Sequence, residues 1–236
     1  WLLNTLPVLS SVLTFARTQA QTDSNGLTDA NGVIFANEAL LDFRRKLVEK
    51  SLDAGQVVEF VQEGTVGTGI YSYPTNPSIL FLKTIELNYA NAAAEDKRTA
   101  TQLDISNIPG NVSVGWARTN APSNSPYFDD RGDEYEIFPT PTSAHNVTSL
   151  ITLFYFQKPT EYSAVGDNVA YPESIDIRIL GWRVASNYLN SLGKTDDAAV
   201  FNSKYEEKVS GLVSTLARGS QQPIQATPLN ITGWEF

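Results

Sequence analysis

The chain of 236 residues contains no cysteine and a single histidine, His145. Without cysteine there is no disulfide framework and no thiolate chemistry. With one histidine, most zinc sites, Ser-His-Asp triads and histidine acid–base pairs are excluded unless His145 takes part. Basic residues are also scarce: 17 Lys and Arg stand against 26 Asp and Glu, a net charge of −9. A chain this acidic is poorly suited to gripping nucleic acid by its phosphates, although it can surround DNA without adhering to it. Long apolar runs are missing too. Residues 1–16 are apolar but too short to span a bilayer. They lack a basic leading region, contain Pro7 and show no small-x-small cleavage pattern. The expectation is a protein without signal or membrane anchor, made in the cytoplasm. What is present is 42% hydrophobic, enough for one compact domain or two small ones and too apolar for wholesale disorder.

Residues 28–52 read as a helix. Val33, Ala36, Leu40, Phe43 and Leu47 step by three and four along one face, Asp29 suits the positive end of the helix dipole, and Lys46 and Lys50 suit the other. Residues 1–19 read as a shorter helix carrying Leu2, Leu6, Leu9 and Leu13. The texture then changes to short runs of β-branched and aromatic residues bounded by Gly, Pro or Asn: 57–61, 69–73, 79–89, 100–105, 135–138 and 150–157. The run 150–157, LITLFYFQ, looks like a central strand. Residues 106–128, rich in Pro, Asn and Ser, read as a long loop. Helix is expected again from Pro172, with Ile175, Ile179, Trp182, Ser186 and Leu189 in register. Another is expected from Asp196, with Phe201, Tyr205, Val209, Leu212 and Leu216 on one stripe and Gly219 at its close.

The fold expected is α+β. Neither helical pair can bury its stripe alone, so residues 1–55 and 170–219 are assigned to one four-helix-type bundle. Residues 56–169 form an inserted antiparallel β domain, and 220–236 an extended tail.

Few residues point to chemistry. Asp129-Asp130-Arg131-Gly132-Asp133-Glu134 lacks the alternation of an EF-hand and reads as a solvated hairpin; its Arg131-Gly132-Asp133 is too short a match to carry meaning. Asn111, Asn146 and Asn230 each open a glycosylation-type triplet, which matters only in a secreted protein. His145 reads as a surface loop residue. Gly64, Gly67 and Gly69 precede a strand and lack the Lys-Ser/Thr of a phosphate loop. No nucleophile elbow or metalloprotease motif occurs. No enzyme activity, metal or cofactor is expected.

Two segments point to partners. Arg44, Arg45 and Lys46, with Lys50, close the second helix; they read either as a solvated face matched to the dipole or as a contact for an acidic partner surface. The tail ends on Ile231, Trp234 and Phe236. Aromatic anchors of this kind fill pockets on partners, and extended segments add to a neighbour's sheet.

The linear order resembles the head–tail adaptor (head-completion or connector) proteins of tailed bacteriophages, including the tail tubular A-like members. The resemblance lies in Asn37–Leu47, Tyr71-Ser72-Tyr73-Pro74, Pro126-Tyr127-Phe128-Asp129-Asp130, Tyr135–Pro141, and the course from Leu150–Phe156 through Lys158-Pro159 and Gly166-Asp167 to Tyr171-Pro172-Glu173. It implies a structural virion protein of the neck, at the head–tail junction, forming a homo-oligomeric ring, commonly of twelve copies, under the portal. Its partners would be the portal protein and the next tail or neck protein. Double-stranded DNA would pass through the ring during ejection without sequence-specific binding. The family carries over no catalytic residues. The alternatives are a tail terminator or tail-tube component, which would be mostly β, and a secreted β-rich binding module.

Overall fold

The computed structural model describes residues 6–49, 57–76, 78–89, 97–103, 114–145, 147–170 and 176–221. The fold is α+β, and the chain divides into two units, one comprising 1–52 and 161–236, the other 53–160.

The first unit holds α1 (Leu9–Gln19), α2 (Asp29–Glu49), α4 (Arg178–Ser191) and α5 (Thr195–Gln221). Helix α4 packs against each of the other three. Their apolar stripes explain why: Leu9, Val12, Leu13 and Ala16 on α1, Ala36, Leu40, Phe43 and Leu47 on α2, and Ile179, Leu180, Val184 and Ala185 on α4 are all buried. Arg17 anchors the α1–α2 connection by donating to the Leu27 carbonyl and pairing with Asp29 at 2.6 Å. The helix expected from Pro172 begins instead at Arg178, whose backbone N–H donates to the Asp176 carboxylate at 3.0 Å; Tyr171-Pro172-Glu173 lie outside the described residues. On α5, Tyr205 and Val209 are buried as the stripe requires, but Phe201 is only half-buried and Ala198 is the buried residue a turn before it.

The second unit holds two four-stranded sheets. One runs β1 (Val57–Gln62), β8 (Ile151–Gln157), β3 (Ile79–Asn88), β4 (Lys97–Thr99), all antiparallel. Strand β8 is central, and Ile151, Leu153 and Tyr155 are fully buried. The other runs β2 (Ile70–Ser72), β7 (Glu134–Phe138), β6 (Tyr127–Asp130), β5 (Thr101–Gln102).

This second sheet departs from the expected all-antiparallel domain, because β5 runs parallel to β6. Ala100 is the reason. Its N–H donates to the Ile85 carbonyl in the first sheet, and one residue later Thr101 N–H donates to the Pro126 carbonyl in the second. The expected strand over 100–105 is therefore split between sheets, with residues beyond 103 outside the described set. The expected loop over 106–128 also contains a helix, α3 (Val114–Asn120), and the start of β6. Ala117 and Ala121 are buried against Phe138, which supplies the packing that the local sequence does not advertise.

Candidate interaction surfaces

The described residues of the basic helix end do not make one solvent-facing patch. Arg44 is buried, Arg45 is exposed, and Lys46 is turned along the molecule onto α5. Lys46 Nζ donates to both carboxylate oxygens of Glu206, at 2.6 and 2.8 Å. Beside it lies an arrangement that helical periodicity gave no reason to expect. The Tyr205 ring is fully buried, with Lys46 Nζ and Arg183 Cζ each 5.4 Å from its centroid. Arg183 lies 3.4 Å from Asp42 and donates to Asn202 at 2.5 Å. Burial first, and then the Asp42 carboxylate, push the Tyr205 hydroxyl well above the ordinary phenol range. The cluster joins α2, α4 and α5, and its cation–π contacts are of the partly desolvated kind.

The acidic loop is a hairpin between β6 and β7, with Gly132 at φ +90° in the turn, where a side chain would be strained. Two carboxylates of the hairpin, Asp129 at the loop's start and Glu136 just beyond its end, are not solvated. Asp129 and Glu136 face each other across the strands and are buried. Arg131 binds Asp129 at 3.0 Å and also Glu136, while Arg118 from α3 reaches Glu136 at 2.5 Å. The Arg131-Gly132-Asp133 tripeptide thus has its guanidinium folded back onto its own hairpin. Among the described residues no three His, Cys, Asp or Glu side chains are placed to hold a metal ion. The signal for this cluster was present as an arginine among clustered acids, but its meaning depended on Arg118 in an unexpected helix.

His145 is half-buried rather than a free surface residue. Its ring meets the Tyr89 ring edge-on at 4.8 Å, and its Nδ1 accepts from the Thr142 backbone N–H at 3.0 Å. Burial holds its pKa below the ordinary 6.5. The Gly64–Gly69 stretch serves hairpin geometry: Gly67 adopts φ +80° and its N–H donates to the Pro141 carbonyl, and Gly69 accepts from Ile137 N–H.

Within the β unit a groove of about 1320 Å³ runs along β3. One wall is Ile79–Thr84; the other includes Tyr73 and the hairpin residues 130–134, with Phe128 and Ala100 between. The Tyr73 hydroxyl is buried without a hydrogen-bond partner among the described residues, and its ring lies 4.8 Å from that of Tyr135. Burial, with Asp130 and Asp129 adding, raises its ionisation far above the usual range. Phe81 on the same strand is 56% exposed.

Ile231, Trp234 and Phe236 lie outside the described residues, as do Asn111, Asn146, Asn230 and Lys50. No described helix is long and apolar enough to cross a membrane. No curated protein matches the chain. A family described as SU10 adaptor protein matches residues 9–230.

Proposed function

The chain belongs to the SU10 adaptor protein family, a phage head–tail adaptor family, and on that premise we propose that it forms a ring between portal and tail that lets double-stranded DNA through. The family is a structural one and not an enzyme type; the adaptor role and the place at the head–tail junction of the virion follow from it. In this reading residues 1–55 and 170–219 act as a four-helix bundle against neighbours and portal. The β domain of 56–169 faces the tail side or the rim, and the tail of 220–236 docks through Ile231, Trp234 and Phe236. Among the described members of the basic helix end, Arg45 is the exposed one and the one offered to an acidic partner.

The family match carries the reading, and the charge supports it. A net charge of −9 lets a lumen repel phosphates, so that DNA slides rather than binds. A cyclic ring also needs two unlike patches on each copy, which a chain of two distinct units and a tail can supply.

Native mass spectrometry with and without the cognate portal tests it. A closed ring, on the order of 300 kDa for twelve copies, or a monomer that becomes a stoichiometric ring on the portal, is expected. A monomer in both conditions overturns the proposal.

A further inference from the structure

The groove beside β3 is lined by six consecutive strand residues, Ile79–Thr84. Strand β3 pairs with β8 with register shifts between Ile79 and Phe81 and between Leu82 and Thr84, and the groove follows this irregular stretch of the strand. Along Ile79–Leu82, β8 pairs on one side. On the other side β4 pairs only with Glu86–Asn88, and no strand covers Ile79–Leu82 among the described residues. An open edge flanked by apolar side chains is a template for an added strand.

The chain contains a segment with the matching pattern. Residues 229–232, Leu-Asn-Ile-Thr, alternate apolar and polar, with Pro228 before them and Gly233 after. No charged residue occurs from 222 to 234. That suits a groove whose rim carries Asp130, Asp133 and Glu134, because no like charge would have to be buried against them. Helix α5 ends at Gln221, and a fully extended chain of eight residues from there would reach about 27 Å.

We propose that residues 229–232 of one copy add as a strand to the open edge of β3 in the next copy, with Leu229 and Ile231 entering the groove between β3 and Tyr73. The choice of a second copy rests on the ring reading above. The contact is heterologous, tail on one subunit and groove on the next, which is the kind that closes a ring.

The absence of cysteine allows a clean test on the full chain. One variant carries Ser72→Cys, at an exposed groove residue; the other carries Thr232→Cys. The two are mixed, assembled with the cognate portal and treated with a short bis-maleimide. A cross-linked dimer containing one chain of each kind is expected, well above either variant alone. Adding Ile231→Asp to the tail variant is expected to cut its yield roughly tenfold, the scale of losing an interface anchor, while Ile231→Val retains it. A closed ring by native mass that gives no mixed dimer overturns the inference and leaves the ring standing. Cross-linking only within single chains of the double variant S72C/T232C overturns it too, placing the tail in its own groove. A chain that stays monomeric with portal removes the ring reading and this inference with it.

Discussion

Lys46 on α2 holds both carboxylate oxygens of Glu206 on α5, a contact between residues 160 positions apart. It joins two helices that the sequence places on either side of the β unit, and it occupies a cation that the helix end would otherwise present to solvent. Both side chains keep partial access to water, so the pair is of the weak, screened kind, worth at most about 1 kcal/mol. Lys46→Ala is therefore expected to lower the melting temperature only slightly. Arg45→Glu, at an exposed position, is expected to leave melting unchanged and to weaken portal or neighbour binding. Calorimetry and a portal pull-down separate the two effects; a large stability loss from R45E would contradict this division of roles.

Tyr205 gives the opposite kind of test. Its ring is buried between two cations, while its hydroxyl is buried beside the Asp42 carboxylate without a well-formed hydrogen bond among the described residues. Removing an unsatisfied buried hydroxyl relieves a desolvation cost, whereas removing the ring leaves a cavity. Tyr205→Phe is expected to be neutral or stabilising, and Tyr205→Ala to cost about 3–5 kcal/mol by denaturant unfolding. A clear loss in Y205F would show that the hydroxyl has a partner.

Two helical glycines should respond in opposite directions. A Cβ on Gly181 would fall 2.4 Å from Phe15 Cδ1, and the Phe15 ring is itself set against Trp182. Overpacking of this kind costs about 1–3 kcal/mol, more than the helix propensity gained. Gly211 has nothing within 4 Å of that position, so alanine there should gain up to about 1 kcal/mol. The melting temperatures of G181A and G211A are expected to move down and up respectively.

As the only histidine, His145 can be followed without assignment ambiguity by NMR. Its folded pKa is depressed by burial, so the folded state favours the neutral ring, and Nδ1 must stay unprotonated to accept from Thr142. The stabilisation is full above the unfolded pKa of about 6.5 and is lost as the pH falls toward the lower folded value. Denaturation midpoints are expected to drop across that window in the wild type and to lose this component in His145→Asn. A folded pKa at or above 6.5 would rule the effect out.

How much was legible follows from which interactions decide each element. Helix α2 and strand β8 were legible because their own residues carry the pattern: an apolar stripe at helical spacing, and a short apolar and aromatic run, broken only by Thr152, of the kind a strand buried on both faces shows. Helix α3 was not, because its stability comes from Phe138 and Glu136, both distant in sequence. The parallel β5–β6 pair hinges on one residue, Ala100, switching sheets, and no local propensity encodes a choice of partner strand. The groove was equally hidden, since its walls come from separate stretches of chain. The segment proposed to fill it, by contrast, lies in a tail that the sequence marks by its prolines and its apolar, aromatic end.

The Arg118–Glu136–Arg131 contact predicts non-additivity. Glu136 is almost wholly buried, at 2% side-chain exposure, while both arginines reach water. With either arginine removed, the other still neutralises the carboxylate, and the freed space can admit water. With both removed, an ionised carboxylate is left buried without a counter-charge, and leaving a buried charge uncompensated is far more destabilising than losing an exposed ion pair. Arg118→Ala and Arg131→Ala are each expected to be mild, and the double variant worse than their sum. Adding Glu136→Gln to the double variant should recover part of that loss, because a neutral amide costs less to bury. Denaturant unfolding of the four chains decides it. Additive losses, or no recovery with glutamine, would mean that the arginines act through packing rather than by matching the buried charge.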